Sequence, residues 1–176
     1  MAGEAIDIFL SLPSSRNIVE RCSVSVCAST GIQAGRVADC YVDTAGASGI
    51  VGDIVSGSFG ESVSTAAGND GISGASVVEN CRGFAVAGVG VNGFNAQVSN
   101  SYGTSVSGTG LVAICALNCQ GVSTSGAFGL RAISGTASFC RGQRNGGVAI
   151  SATNAIGCTV VGTGTVTAVN KSLGTP

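Results

Sequence analysis

The chain has 176 residues, of which 29 are Gly, none is His or Trp, and 10% carry charge, for a formal net charge of −1. This length fits one domain, and the sparse, balanced charge offers no basic face to a nucleic acid. Gly, Ser and Asn break every apolar run, so no segment reads as a transmembrane helix.

Residues 1–17 are expected to hold an N-terminal strand or cap. Ile6-Asp7-Ile8-Phe9-Leu10-Ser11-Leu12 alternates with a period of two, which fits a strand covering the first coil. The Met1-Ala2-Gly3-Glu4 start lacks the basic and apolar regions of a signal peptide.

Residues 18–168 repeat. A small residue recurs at Cys22, Cys40, Ser58, Cys81, Ser101, Cys119, Cys140 and Cys158, a spacing near twenty residues that marks a solenoid. Three residues before each stands Val19, Val37, Val55, Val78, Val98, Ala116, Ala137 or Ala155. Two residues after each stands a Val or a Gly, and Asp39, Asn80, Asn100 and Asn118 directly precede four of them, where a bend suits them. Upstream comes Gly, a large apolar residue, any residue, then a small one: Gly31-Ile32-x-Ala34, Gly49-Ile50-x-Gly52, Gly71-Ile72-x-Gly74, Gly93-Phe94-x-Ala96, Gly110-Leu111-x-Ala113 and Gly129-Leu130-x-Ala132.

This alternation is strand periodicity and predicts an all-β, single-stranded solenoid of about eight short coils. Stacking coils at roughly 4.8 Å puts like residues over like. A narrow bore lined by small side chains then accounts for the glycine content and the mean hydropathy of +0.47. After Thr167 the pattern stops, and residues 169–176 read as a C-terminal tail. Asn170-Lys171-Ser172 there matches a glycosylation sequon by letter.

The Gly-Ile/Leu-x-Ala unit followed by Val-x-Asn-Cys-x-Gly/Val resembles the right-handed parallel β-helices of the pectate-lyase-like superfamily, over about residues 10–168. The resemblance implies a right-handed coil. It is unspecific for function, because that superfamily holds polysaccharide lyases and hydrolases, phage tailspikes, and bacterial surface proteins without known activity. The short, Cys-rich coils look most like the surface proteins.

Six of the cysteines lie on the repeating column and form a cysteine ladder. Neighbouring members such as Cys22 and Cys40 come within disulfide range, but small buried thiols pack well unpaired, and free core thiols are the favoured reading. With no His and no CxxC spacing, no metal site is indicated.

Residues one past the column should point outward: Ser23, Tyr41, Phe59, Arg82, Tyr102, Gln120, Arg141 and Thr159. Tyr41, Phe59, Arg82 and Tyr102 would stand in line as a platform for sugar rings or as a stack that supports the sheet. Asp43 and Glu61 occupy equivalent places on successive coils and could lie side by side. Paired carboxylates suit glycoside hydrolysis. The lyases of the superfamily instead hold calcium with a carboxylate cluster beside a basic residue. Asp39, Asp53, Asp70 and Glu79 are the further acids, and Arg36 or Arg82 the bases, that such an arrangement would need here. Solvated acids that maintain solubility are the plainer alternative.

Gly88-Val89-Gly90-Val91-Asn92-Gly93 matches the dinucleotide fingerprint by letter, but no helical pattern or acidic partner follows, so it reads as a turn. Thr163, Thr165 and Thr167 alternate without a matching threonine column in earlier coils, which argues against ice binding. Between Arg82 and Arg131 no Asp, Glu, Lys or Arg occurs, unusually bare for a soluble surface. These features lead to a non-enzymatic structural or adhesive module, secreted or at a cell surface, that associates with itself and needs no cofactor. The alternative is a carbohydrate-binding or polysaccharide-degrading β-helix, with calcium in the lyase version.

Overall fold

The computed structural model describes residues 17–172, so the strand expected over residues 6–12 lies outside the described residues. In chain order the strands are β1 (Ile18–Glu20), β2 (Ser23–Val24), β3 (Ile32–Ala38), β4 (Tyr41–Ala45), β5 (Ile50–Ser56), β6 (Phe59–Ser62), β7 (Ile72–Glu79), β8 (Arg82–Ala85), β9 (Val91–Ser99) and β10 (Tyr102–Ser105). They continue as β11 (Leu111–Leu117), β12 (Gln120–Ser123), β13 (Phe128–Ala132), β14 (Thr136–Ser138), β15 (Arg141–Arg144), β16 (Val148–Ile156), β17 (Thr159–Val161) and β18 (Thr165–Ser172). Among the described residues there is no helix.

Every pairing is parallel. The long strands β1, β3, β5, β7, β9, β11, β13, β16 and β18 form one sheet, and the short strands β2, β4, β6, β8, β10, β12, β15 and β17 form the other. β13 and β14 are two halves of one coil's long strand, since β11 and β16 each pair with both. The chain alternates between the two sheets and builds a parallel β-solenoid of about eight turns.

A single residue turns the chain from the long sheet to the short one. Asp39, Asn80, Asn100 and Asn118 have φ of 52°, 53°, 48° and 52°, and Gly57 and Gly157 share that conformation. Asn, Asp and Gly tolerate the left-handed region best, which explains their place before the small repeating residue. Arg21 and Phe139 fill the same corner at a steric cost.

The repeating residue follows the corner, and its side chain joins two coils. Cys22 N–H donates to Cys40 Sγ (3.5 Å), Cys40 N–H to Ser58 Oγ (3.1 Å) and Cys81 N–H to Ser101 Oγ (3.1 Å). The three accepting side chains also donate to the carbonyl two residues earlier, Cys40 to Ala38 (3.2 Å), Ser58 to Ser56 (2.7 Å) and Ser101 to Ser99 (2.8 Å), as do Cys81 to Glu79 (3.1 Å) and Cys119 to Leu117 (3.2 Å). A buried position that must both give and take a hydrogen bond in little space favours Ser or Cys.

The bore is narrow because the sheets meet backbone to backbone. A Cβ added at Gly83, Gly103 or Gly121 would lie 1.9, 2.1 or 2.2 Å from the carbonyl oxygen of Gly90, Gly110 or Gly129. The apparent nucleotide fingerprint has the same cause. A Cβ on Gly88 would meet Asn69 O at 2.1 Å, one on Gly90 would meet Thr104 N at 2.3 Å, and residues after Gly90 enter strand β9.

Ile50, Ile72, Leu111, Leu130 and Ile150 are fully buried, and the column from Val19 to Ala155 pairs in register coil by coil. Two expectations need correction. In the fifth coil the interior unit is Gly90-Val91, in register with Ile72 and Leu111, not Gly93-Phe94-x-Ala96. Phe94 falls where the long strand bends, and it is 58% exposed. The expected tail also folds further than residue 168: β18 runs to Ser172, with Asn170 opposite Asn154.

The largest differences in coil length lie in one connection and in the long strands. Residues 63–71 join β6 to β7 where 46–49 suffice between β4 and β5, and the long strands shift register near their middle.

Candidate functional site

The short sheet positions the outward column. Ser23, Tyr41, Phe59, Arg82, Tyr102, Gln120, Arg141 and Thr159 pair in register from β2 to β17. Coil stacking brings the Tyr41 and Phe59 rings to a centroid separation of 4.9 Å with 16° between planes. Arg82 lies over the Tyr102 ring at 5.4 Å. Tyr41 and Phe59 therefore present mostly ring edges outward, because each covers a face of the other. This geometry suits a stack that supports the sheet better than an open platform.

Two residues further along each short strand a second outward column begins, and the two flank a groove of about 320 Å³. Phe59, Glu61, Arg82, Phe84, Tyr102 and Thr104 line it over a floor at Gly83. Phe84 and Thr104 are in register with Glu61 and with each other, so they were legible as members of its column. Thr104 Oγ1 is buried without a hydrogen-bond partner.

Asp43 lies next to Glu61, as the coil spacing predicts. Partial burial raises the Glu61 pKa, and the neighbouring Asp43 charge and a hydrogen bond between the carboxyls raise it further. Thr44 Oγ1 donates to Asp43 Oδ1 at 3.1 Å. Such a pair holds a proton more readily than either acid alone.

The remaining acids are dispersed. Asp39 occupies a corner, Asp53 the bend of β5, and Glu79 the end of β7 on the other sheet. Asp70 is buried beneath a turn, where Oδ1 accepts from Val89 N–H and Oδ2 from Asn92 Nδ2, both at 2.7 Å. Burial raises its pKa although both hydrogen bonds oppose the shift. Arg36 lies on β3 of the long sheet, leaving Arg82 as the basic residue beside Glu61. Among the described residues no group of three or more His, Cys, Asp or Glu could hold a metal ion, so the acids named for a calcium cluster are not gathered in one place.

The column cysteines are thiols whose S–H groups are donated to carbonyls. Burial pushes the Cys81 pKa up to about 11 and raises that of Cys40. Cys40 and Cys81, buried and held protonated, make poor nucleophiles and poor metal ligands.

The charge-free stretch is most apolar on the long sheet. Phe94 and Ile114 sit at the bend of β9 and β11, and Leu117 ends β11; Ile114 and Leu117 are 40% and 51% exposed. No helix among the described residues is long and apolar enough to cross a membrane. Comparison with protein-family models, with curated proteins and with solved structures finds no match to this chain.

Proposed function

We propose that this chain is a non-enzymatic structural or adhesive module, secreted or displayed at a cell surface, that associates side by side with copies of itself. The observation carrying this reading is the charge-free exterior over residues 83–130, with Phe94, Ile114 and Leu117 exposed on the long sheet. Two such surfaces gain by burying these apolar groups together, with Asp53 beside Phe94 and Glu79 beside Leu117 as the nearby charges. The resemblance to right-handed parallel β-helices of the pectate-lyase-like superfamily supports a surface role, since it includes such proteins without known activity. Sedimentation across a concentration series tests the reading. The wild-type mass should rise with concentration, and Phe94→Glu with Leu117→Glu should hold the chain monomeric. A wild type that stays monomeric throughout overturns it.

A second reading, carbohydrate binding or cleavage, is favoured by the groove containing Phe59, Glu61, Arg82 and the unpartnered Thr104 hydroxyl, with Asp43 adjoining. A glycan array tests binding. If an activity is found, Asp43→Asn with Glu61→Gln should abolish it, and survival of the activity removes both acids as catalysts.

A further inference from the structure

Two interior columns change to a cation near the C-terminal side of the solenoid, one on the outermost described long strand and the other one coil earlier, beneath β17. The first runs from Val19 through Val55, Val98 and Ala137 to Ala155, all buried. Its next member, in register with Ala155, is Lys171, which is exposed. The second runs through Ala45, Ser62, Ala85, Ser105 and Ser123 to Arg144.

Arg144 takes over a task that serines perform below it. Ser105 Oγ donates to Gly88 O and Ser123 Oγ to Gly108 O, both at 2.7 Å. In the next coil Arg144 Nε donates to Gly126 O, and its Nη1 turns back to Gly146 O. The guanidinium thus closes the end of a hydroxyl column.

The surrounding edge is otherwise ready for another strand. β18 is the outermost long strand of the described residues, and its Val166 and Ala168 pack on the core while remaining partly exposed. A coil added in the same register would bring apolar groups over the Lys171 ammonium and strip its water without supplying a partner, which is costly. Charge at an inward position is one means by which natural sheets blunt an edge.

We infer that Lys171 closes the edge formed by β17 and β18 against strand addition by a second copy of this chain. Copies then meet along their sides rather than end to end; only this consequence rests on the proposed self-association.

The test is hydrogen exchange of the β18 amides in the full chain across a concentration series. In the wild type, exchange there should not depend on concentration. In Lys171→Ala, protection of β18 should appear at concentrations roughly a hundredfold lower or more, the scale set by removing an unpaired buried charge. Lys171→Glu keeps a charge at the position and should behave as the wild type does. Concentration-dependent protection of wild-type β18, an unchanged Lys171→Ala, or a Lys171→Glu that associates like the alanine variant would each overturn the inference. Total mass is read separately. A monomeric wild type with the alanine effect intact refutes lateral association and leaves the closed edge standing.

Discussion

Substitution of Ser58 tests why the interior column alternates between hydroxyls and thiols. Its Oγ accepts from Cys40 N–H at 3.1 Å and donates to Ser56 O at 2.7 Å, in a buried site. Ser58→Ala leaves the Cys40 N–H without its acceptor, whereas Ser56 O keeps the Asp39 N–H at 3.0 Å. An orphaned buried donor costs about 1–3 kcal/mol and the lost donation about 1 kcal/mol less its solvation gain, so about 2 kcal/mol is expected. For a domain of this size that lowers Tm by about 4–8 °C. Ser58→Cys should cost under about 1.5 kcal/mol, because sulfur fills both roles with a modest change in volume. Ser58→Val removes both bonds and adds bulk, and should be the worst of the three. Thermal unfolding followed by far-ultraviolet circular dichroism gives the ranking. An alanine variant as stable as wild type, or a cysteine variant as damaging as alanine, would refute a hydrogen-bonding role and leave only size.

Phe139 holds a left-handed corner at φ 52° with its ring 66% exposed; Phe139→Asn should raise stability by about 0.5–1 kcal/mol, read as a higher denaturant midpoint. Glu61 and Asp70 both have raised pKa values in the folded chain. The stability they contribute is therefore complete below the ordinary carboxylate values and lost as pH rises through the raised folded ones. Glu61→Gln should flatten that part of the stability-against-pH curve, and an unchanged slope would remove Glu61 as its source. Under native conditions an alkylating reagent should modify the exposed Cys22, while the buried Cys40, Cys81, Cys119, Cys140 and Cys158 should react only after unfolding. Peptide mapping distinguishes the two classes.

Much of the fold was legible because stacking converts a linear repeat into columns. The Val and Ala positions, the corner Asn residues and the outward line from Tyr41 to Tyr102 follow from spacing alone, and the closeness of Asp43 to Glu61 follows with them. What escaped has a common cause: residues added at the bend of β9 shift the local count, so Phe94 imitated a core position that Val91 fills. Lys171 was hidden in the same way, since a lone Lys in a sequon-like triplet carries no sign that it continues an apolar column. The orientation of the Tyr41 and Phe59 rings was beyond a periodicity argument, because register fixes where side chains start and not how their planes turn. The second interior column was overlooked because its members, Ala45, Ser62 and Ala85, are small residues common throughout the chain.

The concentration of the largest coil-length differences in the segment between β6 and β7 and at the strand bend divides the molecule into parts that are easier and harder to edit. Foreign peptides introduced within residues 64–69 would protrude from one edge without altering how neighbouring turns mate. The same insertion between a corner residue such as Asn80 and the following Cys81 would misalign everything downstream. The scaffold therefore offers a defined port for display, placed by the chain's own irregularity.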